Sequence, residues 1–316
     1  MARFYHRPLS LFYCDHHHFP LPPGHKFPLA KYRLIRERLE RDPRFRLQPS
    51  HFATRQALLR IHAEEYVDNF LAGTLPTQVM RRIGFPWSRE LVDRTLASAG
   101  ATLLATASAL DCGFGGTLAG GTHHAFQSEG AGFCVFNDLA VAIAAARAER
   151  GIVRAAIIDL DVHQGDGTAA IFEADPNVFT LSIHGARNFP LRKQRSVLDV
   201  ELPDATSDDV YLQALRPALQ RVWDFGPELI LFQSGVDALA TDRLGRLSLS
   251  QSGLARRDTA VIEHAHRCSI PLVVTLGGGY SDPIEQTVSA HTQTFLQAAD
   301  VYLEEAAFYC EPASKL

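Results

Sequence analysis

The chain has 316 residues, 46% hydrophobic and 21% charged, with a formal net charge of −4. This is the composition of an ordinary globular protein with ample material for a large core, and it lacks the basic excess that nucleic-acid binding calls for. No apolar run approaches the length of a membrane span.

Leu9-Ser-Leu-Phe-Tyr-Cys14 is apolar but has neither a full signal-peptide core nor a small-residue cleavage site, so it reads as a first strand. The rest of the first fifty residues looks loop-rich, and His16, His17 and His18 read as solvated loop histidines rather than a metal clip. The spacing of Leu29, Tyr32, Leu34, Ile35 and Leu39 predicts an amphipathic helix from Pro28 to about Arg41. Further helices are expected over Arg60–Leu71, Glu90–Leu110 and Leu139–Arg150. A buried strand over Ile152–Asp159 follows, then a half-alternating strand over Asn177–His184. Asp208–Val222 reads as a helix with Ser207 as N-cap, Glu228–Ser234 as a strand, Ser252–Cys268 as a helix and Ile270–Leu276 as a strand. Alternation of this kind predicts an α/β fold: a single domain over residues 1–316, three-layered, with helices on both faces of a mainly parallel sheet. The cysteines Cys14, Cys112, Cys134, Cys268 and Cys310 are odd in number and none are spaced Cys-x-x-Cys. That argues for a reduced cytoplasmic protein without disulfides or a cysteine zinc site.

Asp159-Leu-Asp-Val-His163 is the most informative stretch. If the strand continues through it, Asp159, Asp161 and His163 share one face. Two carboxylates and an imidazole there are costly to bury unless a cation pairs with them. Gly165-Asp166-Gly167 reads as a sharp turn carrying another carboxylate. In a parallel sheet, ligands bind beyond the carboxyl ends of the strands. Asp161, His163, Ser182, His184, Asp237 and Tyr280 all fall there. Asp161, His163 and Asp237 offer two oxygens and a nitrogen, the three-ligand open arrangement of catalytic zinc, and such a set also suits Fe(II), Mn(II) or Co(II). His123 and His124 follow a glycine pair and could serve separately as general base and charge stabiliser, with Asp159 and Asp166 available to fix their tautomers. Phe133 and Phe136 suit either a narrow channel or the core. Tyr280, behind Gly277-Gly-Gly279, could donate a hydrogen bond to a developing oxyanion.

With these residues the chain resembles the zinc-dependent histone deacetylases, which share the arginase/deacetylase fold. The resemblance runs from about Leu9 to about Gln297 and rests on Gly121-Thr-His-His-Ala125, Gly132-Phe-Cys-Val-Phe-Asn-Asp138, Asp159-Leu-Asp-Val-His-Gln-Gly-Asp-Gly167, Gly235-Val-Asp-Ala-Leu239 and Gly277-Gly-Gly-Tyr280. Gln164, Gly24-His-Lys-Phe-Pro28 and Asp242–Ser250 look most like class IV, and the Ala- and Arg-rich composition suits a bacterial member. The resemblance implies Asp161, His163 and Asp237 as zinc ligands. It implies His124 as general base and acid, paired with Asp166, and His123 as its electrostatic partner, paired with Asp159. Tyr280 would polarise the acyl carbonyl. A potassium ion would be held by oxygens of Asp159, Asp161, His163, Ser182 and Ile183. Gly132, Phe133 and Gly278 would line the substrate tunnel, with Phe189 the candidate for a second wall. The rim aspartate of class I has no counterpart here.

The implied reaction is hydrolysis of an N-acyl-lysine amide on a protein or peptide by metal-activated water. No covalent acyl-enzyme is needed, and no Gly-x-Ser-x-Gly nucleophile motif is present. A hydrolase of acetylpolyamines or other small acylated amines would share the core site, and long fatty acyl groups are a further substrate option. A binuclear manganese ureohydrolase would need a second Asp where Gly235 stands. A non-catalytic acyl-lysine-binding module would not need Tyr280. Neither nucleic acid nor membrane is an expected partner, and the sequence gives no oligomeric state.

Overall fold

A computed structural model describes residues 7–304. Cys310 and the two ends of the 1–316 span lie outside the described residues. The strands are β1 (Leu9–Tyr13), β2 (Phe45–Pro49), β3 (Phe114–Thr117), β4 (Ala155–Asp159), β5 (Val178–Gly185), β6 (Leu198–Leu202), β7 (Leu229–Gln233) and β8 (Leu272–Thr275). They form one sheet in the order β2-β1-β3-β8-β7-β4-β5-β6, and every pairing is parallel. The helices are α1 (Ala30–Leu39), α2 (Arg55–Leu58), α3 (Glu64–Ala72), α4 (Thr77–Ile83), α5 (Arg89–Cys112), α6 (Asp138–Arg150), α7 (Asp166–Phe172), α8 (Asp208–Phe225), α9 (Gln251–Arg267) and α10 (Glu285–Ala299). None of them is long and apolar enough to cross a membrane.

The period-two alternation of the central strands builds the layers. Ala156 and Ile158 of β4 and Ile230 and Phe232 of β7 pack with Ile35 of α1, Leu215 of α8, Val261 of α9 and Phe295 of α10. Ala155, Ile157, Leu229 and Leu231 face the other way, against Ala101 and Ala105 of α5 and Leu139 and Ile143 of α6. The short helices α2, α3 and α4 form a third cluster with Phe136 and Phe85.

Several elements depart from the sequence reading. The edge strand β2 falls in the stretch expected to be loop-rich, and β6 in a segment given no element by the sequence reading. β3 is Phe-Gly-Gly-Thr, and its glycines are there for packing: a Cβ on Gly115 would lie 1.9 Å from the Ala105 carbonyl oxygen. The expected sharp turn at Gly165–Gly167 is instead the start of α7, where Gly167 lets the helix pass Ala125, whose carbonyl oxygen would lie 2.3 Å from an added Cβ. β4 ends at Asp159, so Asp161 and His163 stand on the loop beyond it rather than on the strand. Ser207 is the N-cap residue of α8, but its side chain makes no capping bond.

Candidate active site

The loops after β4, β7 and β8 converge at the carboxyl edge of the sheet. Ligand atoms of Asp161, His163 and Asp237 lie within 4.8 Å of one another, and among the described residues this is the one group of three or more His, Cys, Asp or Glu placed to hold a metal. His163 Nδ1 lies 3.0 Å from Asp161 Oδ1 and 3.1 Å from Asp237 Oδ2. The far oxygens are fixed by backbone: the Gly278 N–H donates to Asp161 Oδ2 at 2.7 Å and the Val162 N–H to Asp237 Oδ1 at 2.9 Å. Gly278 must lack a side chain, because a Cβ would sit 1.9 Å from Asp237 Oδ2.

Burial and repulsion from Asp161 raise the Asp237 carboxyl to about 7. Burial opposes charge on His163, but its hydrogen bonds to Asp161 and Asp237 outweigh that and raise it to about 10. Two buried carboxylates thus call for positive charge between them. A divalent cation bound by two oxygens and a nitrogen fits that demand.

The paired histidines sit beside this group. His123 Nδ1 lies 2.6 Å from Asp159 Oδ2, and His124 Nδ1 lies 2.6 Å from Asp166 Oδ1. Their ring centroids are 4.1 Å apart. Similar partners give opposite outcomes. Burial opposes charge on His123, but Asp159 and Asp161 outweigh it and raise its pKa to about 9. Burial, then the charge on His123, lower His124 to about 4 despite Asp166. His123 is therefore the resident cation and His124 the neutral imidazole, with Nε2 as its remaining nitrogen. The loop carrying them is anchored by Asp138, which accepts the Gly121 and Thr122 N–H groups at 3.0 and 2.7 Å, and by Gln233, whose amide donates to Gly121 O at 2.8 Å.

Tyr280 ends a glycine run gripped by side chains. Lys31 Nζ donates to Gly277 O at 2.8 Å, and Asp242 accepts the Tyr280 N–H at 2.6 Å. His291 Nε2 lies 3.1 Å from Gly278 O. Lys31 is 1% exposed, and its ammonium lies 5.5 Å from the centre of the Tyr280 ring. Burial lowers Lys31 to about 8, against the pull of Asp237, Asp161 and Asp242. Burial, then Asp237 and Asp161, hold the Tyr280 phenol well above its ordinary range, so it is a protonated donor at neutral pH.

These groups line a cavity of about 90 Å³ that includes His123, His124, Gly132, Phe133, Asp161, His163, Gly278 and Tyr280. It is a slot, well short of the ~300–1,000 Å³ of a drug-sized pocket. Phe133 has φ +68° and projects from a turn whose N–H groups, those of Gly132 and Phe133, are held by the carbonyls of Arg82 and Ile83 at the end of α4. Phe136 is buried among His62, Phe70 and Tyr66, with ring centroids 5.1, 5.3 and 5.8 Å away, and it also lines the cavity. Phe189 does not line the inner cavity. It stands at the mouth, half exposed, edge-on to His124 at 4.8 Å and close to Gly132. Gln164 ties that loop down, exchanging two 2.8 Å hydrogen bonds with the Gln194 backbone. Ser182 is the ladder partner of Asp159, and neither it, Ile183 nor His184 lines the cavity; Ser182 Oγ lies 2.9 Å from His184 Nδ1.

Sequence reasoning passed over Lys31, Asp138, Gln233, Asp242, Arg257 and His291. Two of them left a signal. Lys31 shares the apolar stripe of α1 with Ile35 and Leu39, and Arg257 shares that of α9 with Leu254, Val261 and Ile262. Arg257 is wholly buried and donates to the carbonyls of Leu160 and Gly235 at 3.1 and 2.7 Å, fixing the loops that carry Asp161 and Asp237.

The chain matches the family model of the histone deacetylase domain over residues 25–296. It is 43% identical to an uncharacterized protein of Picosynechococcus sp. over 289 residues, covering 90% of this chain and 96% of that protein. It is 34% identical to a histone deacetylase-like amidohydrolase of Pseudomonas aeruginosa, covering 76% of this chain and 67% of the relative. With Histone deacetylase 2 of Arabidopsis thaliana it shares 31% identity over 72% of this chain and 62% of that protein. The chain therefore belongs to the histone deacetylase family and carries that family's amidohydrolase domain.

Proposed function

We propose that this chain is a zinc-dependent hydrolase of N-acyl-lysine amides. The observation that carries the reading is one slot lined by Asp161 and His163, with Asp237 beside them, together with a charged and a neutral histidine and a protonated tyrosine. Asp161, His163 and Asp237 would hold a zinc ion, which would supply Lewis-acid polarisation and acidify water to a pKa near ~7; Fe(II) is the alternative for the same donors. A potassium ion is proposed at Asp159, Ser182 and Ile183 of the adjacent strands β4 and β5 and at Asp161 and His163 of the loop after β4.

Each role follows from a local property. His124, neutral and oriented by Asp166, takes the proton of the attacking water and returns it to the departing lysine amine. Tyr280 donates its phenol hydrogen to the acyl oxygen. His123, held charged by Asp159, stabilises negative charge as it develops. Gly132, Phe133 and Gly278 shape the slot, and Phe189 guards its mouth. A reducing, cytoplasmic location belongs to the same proposal, on the odd number and spacing of the cysteines. The shared sheet supports one catalytic domain.

The test is to strip the protein of metal, add back zinc, and follow hydrolysis of an acetyl-lysine peptide beside N-acetylputrescine. Peptide hydrolysis returning in step with zinc is the expected result. Hydrolysis of the small amide alone would replace the substrate class, and none of either with zinc bound would overturn the reading.

A further inference from the structure

We infer that the mouth of this site receives an acyl-lysine flanked by acidic residues. The inference rests on the acyl-lysine reading above and adds the surroundings of the lysine. Its basis is the charge of the segments that frame the slot.

The loop over 185–197 contains Arg187, Arg192, Lys193 and Arg195 and no acidic residue. It is fixed at the site by Phe189 on His124 and by Gln194 on Gln164, the neighbour of His163. Asn188 joins it to the next segment, donating to Leu244 O at 2.9 Å and accepting the Arg246 N–H at 3.2 Å. That segment adds Arg243 beside Asp242, which carries the Tyr280 backbone. Across the slot, Arg81 and Arg82 end α4 against the turn of Gly132 and Phe133.

Nearby acids offset part of this charge: Glu201 and Asp199 face Lys193, whose ammonium folds back onto the Asn188 and Pro190 carbonyls. Asp204 is shared by Arg187 and Arg246, and Glu129 pairs with Arg82. Asp242 accepts the N–H groups of Leu244, Gly245 and Tyr280. Asp282, two residues beyond Tyr280, is the exposed acid nearest in sequence to the site. Arg81, Arg192, Arg195 and Arg243 are exposed and form no ion pair among the described residues.

A basic mouth on a chain of net charge −4 concentrates the positive field where substrate enters. Acidic flanks are drawn in and held, and lysine- or arginine-rich flanks meet like charge. Exposed rim charges act chiefly on encounter and are screened by salt, so the preference belongs in KM and weakens as salt rises.

The experiment uses two acetyl-lysine peptides that differ only in having Asp and Glu, or Arg and Lys, around the acylated residue. Zinc-loaded protein should give the acidic peptide about a tenfold higher kcat/KM at low salt, mostly through KM, converging on the basic peptide by about 0.5 M salt. The Arg192→Glu/Arg195→Glu variant should abolish or reverse that ratio, which, taken within one preparation, does not depend on the folded fraction. Equal rates, preference for the basic peptide, or a ratio indifferent to the double reversal each overturn the inference. If neither peptide is hydrolysed, the acyl-lysine hydrolase reading fails on its own. The dissociation constants of the same labelled peptides, by fluorescence anisotropy, then decide the mouth: tighter binding of the acidic one upholds it and equal binding overturns it.

Discussion

Asp161 and Asp237 at the floor of the site are almost wholly buried, whereas Arg192 and Arg195, on the loop that carries Phe189 at its mouth, are exposed. The two regions carry opposite charge under opposite dielectric conditions. At the floor, desolvation magnifies each interaction, so carboxylates, His163 and a cation are mutually dependent. At the mouth, water and salt divide each interaction down to a bias on which substrate arrives. Floor substitutions should therefore change metal content and chemistry by orders of magnitude, while mouth substitutions should change only selectivity.

The sharpest break of this contrast is Asp237→Asn. It removes one of the two charges that hold the His163 pair, and metal affinity should fall by more than the ~10–100-fold that loss of an outer partner costs. Metal analysis after dialysis checks it; full retention would make the floor no more demanding than the surface.

Asp166→Asn comes next, with turnover expected to fall about 10–100-fold. A carboxylate at Nδ1 stabilises the imidazolium, so its removal lowers the His124 pKa further. His124 would then keep its basic form to lower pH, and the acid limb of the pH–rate profile should move down, not up. A limb that rises or stays would separate Asp166 from His124.

Lys31→Met tests the floor from behind. The Gly277 carbonyl loses its donor and Tyr280 loses the neighbouring ammonium, and misplacement of a reacting group costs rate, here about tenfold. Met fills the space but leaves the buried Gly277 carbonyl without its donor, at a cost of about 1–3 kcal/mol. The melting temperature should fall and turnover per folded molecule should fall with it, as calorimetry and kinetics on one preparation would show. A lower melting temperature with unchanged turnover per folded molecule would make Lys31 a purely structural residue.

How legible each region is in the sequence follows the same divide. The central strands are apolar runs followed by polar residues, so β4, β5, β7 and β8 stand out. The edge strand β6, Leu198-Asp-Val-Glu-Leu202, carries the strict alternation of a half-buried strand over only five residues, a signal weaker than the apolar runs of the centre. Asp161, His163 and Asp237 are visible because polar residues rarely follow buried strands without purpose. Lys31, Asp242 and His291 are not, because each acts on backbone atoms of a distant glycine loop that only the folded chain brings near. Phe189 stands edge-on to His124 and beside Gly132, at the mouth of the slot.

The most direct test of the account is Tyr280→Phe on protein with its zinc content measured. The expected result is one metal bound as in the parent, with acetyl-lysine hydrolysis reduced by about 10²–10³. Undiminished hydrolysis with metal in place would contradict the role of the phenol and, with it, the reading of the slot as a carbonyl-polarising site.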